Sequence, residues 1–309
     1  MKKDFLTLDD IKREELFKIL DLALELKKKK TGNQLHRKVF CLFFEKPSTR
    51  TRLSFETGIE QLGGSSIFFD VRGSQIPRGE SLKDTAKVFD RYVDAVVARV
   101  FSHESLEIMS KTTNIHIINA LSDLAHPCQI LSDLLTIKEK FQSFKGLKLA
   151  YVGEGNNICN SLLLGCAKVG INIDVACPEE YQPDTKMIHK AVDYSKITKI
   201  DINILKDPKK AVKDANIVYN DTFVSMGDEK MKEKKMKIFL PKYQVNQNLL
   251  NYAASDVLYM HCLPAHRGEE VTSDVLDGPR SIVWDQAENR LHAQKALLVK
   301  MIGTKYPTL

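Results

Sequence analysis

The chain has 309 residues, 43% of them hydrophobic and 28% charged, with 46 Lys and Arg against 40 Asp and Glu. That length suits two domains able to bury cores of their own, and the composition is that of a globular protein, not of a disordered or fibrous one. The net charge of +6 lies in short blocks without a basic stripe interleaved with aromatics, and no apolar run approaches the ~18–20 residues of a membrane helix, so nucleic acid and membrane are excluded as partners.

The first residues, "MKKDFLTLDDIKREELFKIL", lack a signal-peptide apolar region and enter a helical pattern after Thr7 or Asp9. The blocks "KKKK" at 27–30 and "DEKMKEKKMK" at 228–237 read as solvated helix faces. Apolar strands are expected at 39–44, 65–69, 94–100 and 115–120, with helices near 52–62, 82–92 and 104–111 between them. "HPCQILSDLLTIKEKF" predicts a long amphipathic helix from Pro127 to Phe141. The scheme repeats with strands at 148–153, 171–177, 199–205, 216–221 and 257–264, separated by helices of about ten residues, and a helix from "WDQAENR" closes the chain. No tandem repeat at a period of about 20–50 residues interrupts it. The six cysteines (Cys41, Cys128, Cys159, Cys166, Cys177 and Cys262) contain no CxxC and sit in apolar or helical surroundings, as free thiols of a reducing cytoplasm would.

Short apolar strands alternating with helices predict an α/β protein of two domains, each a parallel sheet with helices on both faces and an active site in the cleft between them. The junction is expected at Gln142, before "SFKG". Residues 1–142, rejoined by the C-terminal helix 288–309, then form one domain and residues 143–287 the other. In such sheets ligands lie at the carboxyl ends of the strands. Those ends here read "EKPSTRTR", "DVRGSQIPRGES", "ARVFSHES", "NALSDLAHPCQ", "GEGNNICN", "NDTFVSMG" and "HCLPAHRGEE", all rich in polar or reactive groups. An enzyme explains that loading better than a set of structural loops.

Some motifs point elsewhere and fail on inspection. "GEGNNICN" begins like a dinucleotide fingerprint, but Ile158 or Cys159 stands where its third glycine belongs. There is no GxxxxGK[ST] phosphate loop. His261 beside Cys262 resembles a nucleophile pair, yet neighbours on a strand face opposite ways, so His261 reads as a packed core histidine.

"STRTR" is the strongest single signal. Ser48, Thr49, Arg50 and Thr51 lie on a strand-to-helix turn, where free backbone N–H groups, the helix dipole and a planar guanidinium suit an anion. A Ser48 N-cap with two solvated arginines explains the turn equally well taken alone. Arg50 and Arg52 diverge by about 200° on a regular helix, so one faces the ligand, and Arg52 is assigned a structural place. Arg99 ends a strand of Val and Ala and needs an anionic partner: a bound ligand, or a carboxylate such as Glu56 or Glu80. His126 and Gln129, three apart at a helix start, share a face, and Pro127 fixes their entry angle. Asp221 after an apolar strand suits an ammonium ion or a simple turn.

"STRTR", the arginine of "VVARVF", "HPCQ", "NDTFVSMG" and "HCLP" together resemble the carbamoyltransferases over nearly the whole chain. The "D...SMG" and "HCLP" elements point to the ornithine branch of that family. An aspartate enzyme is expected to carry "PLPR" near position 262 and a lysine-bearing loop in place of "SQIPRGES". A putrescine enzyme shares "HCLP" but lacks the "SMG" loop. Departures are small: Phe223 where relatives often have Trp, Cys128 in the variable place of "HP.Q", and Ile-Pro in "SQIPRGES".

The resemblance implies carbamoyl transfer from carbamoyl phosphate to ornithine, without metal or organic cofactor, in a homotrimer with shared sites. It places Ser48, Thr49, Arg50, Thr51, Arg99 and Arg290 on carbamoyl phosphate, with His126 on the carbonyl oxygen and Gln129 on the carbamoyl NH₂. Gln75 is implied to reach a neighbour's site. Asn157, Asp221, Ser225 and Met226 are implied around the amino-acid groups of ornithine, and Cys262, implied as catalytic, and Leu263 are implied to bind carbamoyl phosphate while facing the reacting amine. Without the resemblance, Arg290 in "AENR" reads as a surface helix arginine. The rival readings are a carbamoyltransferase for another amine and a non-catalytic anion-binding protein. Phosphate capture alone has no use for Cys262, His126 and Gln129.

Overall fold

The structure, a computed structural model, describes residues 3–303 apart from Met226 and Asp228. Contacts divide the chain into two units, one running to Leu135 and resuming at Glu288, the other spanning Thr136–Ala287.

The first unit opens with a short 3-10 turn, Leu8–Asp10, capped by Thr7, before α1 (Arg13–Lys28). Then follow β1 (Val39–Phe44), α2 (Thr49–Gln61), β2 (Ser65–Asp70), α3 (Leu82–Tyr92), β3 (Ala95–Arg99), α4 (His103–Thr112), β4 (His116–Leu121) and α5 (Pro127–Phe141). The strands form one parallel sheet in the order β2-β1-β3-β4. β1 and β3 are central and almost wholly buried, as their unbroken apolar runs require. β2 lies at the edge and leaves Ile67 53% exposed. Phe43, Phe69 and Phe89 stack or meet edge-on at centroid distances of 5.2–6.0 Å, tying the sheet to α3.

The second unit contains β5 (Lys148–Val152), α6 (Asn157–Val169), β6 (Asn172–Ala176), α7 (Thr185–Thr198), β7 (Ile202–Leu205), α8 (Pro208–Val212), β8 (Ile217–Asn220), α9 (Lys232–Phe239), α10 (Gln247–Leu250), β9 (Leu258–His261) and α11 (Ser273–Leu276). α12 (Val283–Ile302) begins here and carries the chain back into the first unit. The sheet is parallel, in the order β7-β6-β5-β8-β9.

Local differences from the expectations have physical reasons. β9 stops at His261, so Cys262 and Leu263 belong to the turn beyond it, where Leu263 takes a left-handed φ of 58°. Two connections expected to hold ten-residue helices carry shorter ones, the five residues of α8 and the eight and four of α9 and α10. The 228–237 block is not uniformly solvated: Lys235 is buried and its Nζ lies 2.8 Å from Glu154 Oε1. Lys27, in the other lysine block, donates to Asn289 Oδ1 at 2.9 Å. No helix among the described residues is long and apolar enough to cross a membrane.

Candidate active site

β1 delivers the chain to the head of α2. There Ser48 takes an extended conformation and its Oγ accepts from the Thr51 N–H at 3.3 Å. Ser48 is therefore an N-cap, and the cap orients the helix start. No acidic residue occupies the first turn of α2, which leaves the positive end of its dipole uncompensated by side chains of that turn. Thr49 is exposed, Arg50 half-buried and Thr51 buried. Arg52 turns away: its guanidinium lies 3.7 Å from the Phe68 ring centroid and pairs with Glu56 at 2.9 Å.

Arg99 ends β3 at a register shift against β4 and is 8% exposed. The loops on either side are laced together, with the Glu45 N–H donating to the Arg99 carbonyl (2.9 Å) and the Phe101 N–H to Glu45 Oε2 (2.6 Å). Lys46 is buried with its ammonium 4.6 Å from the Phe101 ring centroid. His126 precedes α5 and its carbonyl accepts the first helical bonds, from Gln129 and Ile130. The turn before it is braced by buried Asn119, which donates to the Ala125 carbonyl at 3.2 Å. Burial pushes the His126 imidazole well below its ordinary pKa, and the charges of Arg290, Arg99 and Lys46 push the same way. His126 is thus neutral at physiological pH and faces convergent positive charge.

Arg290 is 3% exposed, not a surface helix arginine. Its Nη1 donates to Gln129 Oε1 at 2.6 Å and its Nη2 to Thr51 Oγ1 at 3.2 Å. With the Gln294 amide oriented to satisfy its neighbours, that oxygen accepts from Arg290 Nε at 3.0 Å while its nitrogen donates to Ser54 at 2.7 Å. Gln129 Nε2 donates to buried Asp133 at 2.8 Å. An acceptor-only carboxylate on one side and a donor-only guanidinium on the other fix the amide's orientation. Thr51, already accepting from Arg290, keeps its own hydroxyl proton to donate.

In the second unit, Asp221 follows β8 and is 7% exposed. Its Oδ1 accepts from Cys262 Sγ at 3.0 Å and its Oδ2 from Asn156 Nδ2 at 2.8 Å. Asn156 also N-caps α6, its Oδ1 accepting from the Ile158 and Cys159 N–H groups. Asn157, the residue singled out from sequence, opens the helix and offers its carbonyl to Ser161. Ser225 is half-buried, and Met226 lies outside the described residues. Phe223 is fully buried and stacks on Phe239 at 4.6 Å. Gln75 is exposed, its carbonyl accepting from Arg78 and Glu80.

Sequence reasoning missed Asn156, Asp133, Lys46 and the Glu154–Lys235 pair. The one local signal, an Asn before an apolar helical run, fits Asn156 and Asn157 alike. Among the described residues, Asp221, His261 and Cys262, and also His266, Glu269 and Glu270, bring ligand atoms within 4.8 Å of one another and are the groups that could hold a cation. The thiol-to-carboxylate bond of the first group already serves Asp221.

Residues 3–139 match the carbamoyl-P binding domain of aspartate/ornithine carbamoyltransferase, and residues 145–301 match its Asp/Orn binding domain. The chain is 48% identical over 299 residues to an ornithine carbamoyltransferase of Bacillus thuringiensis subsp. konkukian, covering 97% of this chain and 94% of that protein. It is 48% identical over 305 residues to one of Pyrococcus horikoshii, covering 97% and 96%. Among solved structures, ornithine carbamoyltransferase from Pyrococcus furiosus superposes with a TM-score of 0.92 at 47% identity, over 96% of both chains. That from Gloeobacter violaceus gives 0.89 at 46% identity, over 98% of this chain and 99% of the other. Both halves of the chain match in order, and the chain belongs to the aspartate/ornithine carbamoyltransferase family.

Proposed function

We propose that the protein is an ornithine carbamoyltransferase: it transfers the carbamoyl group of carbamoyl phosphate to the δ-amine of L-ornithine, giving L-citrulline and phosphate, within arginine and citrulline metabolism. The observation that carries this reading is the burial of His126 at the head of α5, in one unit with buried Arg290, Arg99 and Lys46, and that burial with those charges depresses its pKa. A neutral imidazole among cations is built to donate a hydrogen bond to a carbonyl oxygen beside a phosphate dianion, not to hold a proton itself.

Ser48, Thr49, Arg50 and Thr51 bind the phosphate through the α2 N-terminus, hydroxyls and guanidinium fork. Arg99 and Arg290 complete the charge, and Gln129, its oxygen directed by Asp133, accepts from the carbamoyl NH₂. On the second unit, Asp221, Asn157, Ser225 and Met226 hold the α-amino and α-carboxylate groups, and Cys262 with Leu263 receives the δ-amine. That amine titrates near lysine's value of about 10.4, so only about one molecule in a few thousand is neutral at pH 7. A desolvating site raises that share. The neutral nitrogen attacks the carbamoyl carbon, and Arg50, Thr51, Arg99 and His126 stabilise the oxyanion. The bond from carbon to the phosphate oxygen then breaks, and the phosphate leaves with the proton lost by nitrogen.

The reaction needs no cofactor. A homotrimer with Gln75 crossing to a neighbour is part of the proposal, supported by exposed apolar residues on the first unit, Leu53, Ile67, Val88 and Tyr92, and by exposed Gln75. A cytoplasmic location is supported by six free cysteines.

The test offers ornithine, putrescine and aspartate in parallel, each with carbamoyl phosphate, and measures the carbamoylated product. Citrulline is expected to dominate. Preference for putrescine would remove Asp221 and Ser225 from α-amino-acid recognition, and product from none of the three would overturn the enzyme reading.

A further inference from the structure

His261 has no exposed surface, and the sequence reading made it an ordinary core histidine. Its bonding is more specific than packing requires. The backbone N–H of Leu263 donates to His261 Nδ1 at 2.9 Å. Leu263 holds φ at 58°, in the left-handed region that a bulky side chain avoids. A ring nitrogen that accepts a hydrogen bond carries no proton, so the ring proton sits on Nε2. Nε2 lies 3.4 Å from Glu270 Oε1, and both side chains are fully buried. The same carboxylate oxygen accepts from the His266 N–H. Glu270 thus touches both ends of the segment 261–266, and the turn bearing Cys262 and Leu263 is closed from beneath. The backbone of His261 is held as well, donating to Gln286 Oε1 at 2.9 Å.

We propose that His261 is a positioning residue of the amine site: its Nδ1 accepts from the Leu263 N–H and holds Leu263 left-handed so that the Cys262–Leu263 turn faces the substrate. The proposal rests on the assignment of that turn to the δ-amine. His261 touches no substrate and acts through the Leu263 backbone.

Two substitutions separate this role from packing. Asn places its side-chain oxygen near the Nδ1 position and preserves the acceptor for Leu263, whereas Gln reaches the Nε2 position and abandons it. His261→Gln is expected to lower kcat/KM for ornithine about tenfold or more, chiefly through KM, because the partly buried Leu263 N–H is left without its acceptor. His261→Asn is expected to keep kcat/KM within about threefold of wild type. Equal damage in both variants would make His261 a packing residue, and equal health would leave it without a role. Because a variant can fail to fold, the wild-type enzyme supplies a second reading. ¹⁵N-histidine NMR should show one imidazole with an unprotonated, hydrogen-bonded Nδ1, its signal absent in His261→Asn, and a protonated Nδ1 there overturns the proposal. If wild type forms no citrulline, the assignment of the turn to the amine fails, while the tautomer measurement still decides the brace.

Discussion

Arg290 donates to the amide oxygen of Gln129 at 2.6 Å across 161 residues of chain. The same guanidinium reaches Thr51, so one side chain of α12 joins the heads of α2 and α5. Lysine cannot make both bonds in these directions. Arg290→Lys should lower kcat/KM for carbamoyl phosphate by about a hundredfold, equivalent to ~2.7 kcal/mol. Asp133→Ala removes the acceptor that orients Gln129 and should act in the same direction, more weakly. Steady-state kinetics at fixed ornithine measures both, and near-normal values for Arg290→Lys would exclude a role for the fork.

The reactive species is the neutral amine, so kcat/KM for ornithine should climb by about tenfold per pH unit from pH 6.5 toward 8.5. His126 adds no inflection near pH 6.5, because burial and three neighbouring cations hold its pKa well below that value. Its effect belongs to stability. A base whose folded pKa is depressed contributes stability fully above its unfolded pKa of about 6.5 and loses it as pH falls below that. His292, depressed chiefly by burial, acts in the same direction. Urea midpoints measured from pH 5 to 8 should therefore fall toward pH 5, and less steeply in His126→Asn. A slope that survives unchanged would mean other groups control it.

Five of the six cysteines are buried and Cys262 is half-buried. Burial pushes the Cys41 and Cys128 thiols up to about 12 and Cys177 to about 11. Thiolate is the reactive form. Iodoacetamide should therefore add a single label to the folded enzyme, at Cys262 by peptide mass spectrometry, and ornithine should slow it. Prompt labelling at Cys41 or Cys177 would contradict the packing described.

Lys235 Nζ reaches both oxygens of Glu154, at 2.8 and 2.9 Å, with side-chain exposures of 4% and 15%. The pair joins α9 to the turn that precedes α6. Removing one buried partner strands the other, so Lys235→Met should cost about 3–5 kcal/mol, and adding Glu154→Gln should recover most of it. Chemical denaturation of the two variants measures the difference. Additive losses would show that the two residues act independently.

These contacts show which features the sequence displays and which it conceals. "STRTR" and "HPCQ" were legible because their chemistry is local: a strand, a cap and a helix start within a few residues. Arg290 was not, since one arginine on a long helix looks like any other until the fold buries it beside Gln129. Asn156 and Asn157 are equivalent by composition, and the capping geometry alone decides which reaches Asp221. Lys235 sits in a block of like charges where only the fold picks out the one facing Glu154. His261 read as core and is core, but the pattern could not show that its acceptor serves Leu263.

The shared site can be tested by mixing lesions. If the proposed trimer is cyclic its contacts are heterologous, and each site would take Arg50 from one subunit and Gln75 from the next. Arg50→Ala and Gln75→Ala trimers should each be poorly active, because every site lacks one group. Every hybrid trimer has one site with both lesions, one with a single lesion and one with neither. Random mixing of equal amounts makes about three-quarters of trimers hybrid, so about a quarter of all sites should be intact. Unfolding and refolding the two variants together is expected to restore roughly that fraction of wild-type activity, while refolding each alone restores none. If native mass spectrometry shows hybrids and the mixture stays as inactive as its parents, Gln75 does not cross to a neighbour. If only monomers are found, the trimer itself is wrong, and exposed Leu53, Ile67, Val88 and Tyr92 would need another occupant.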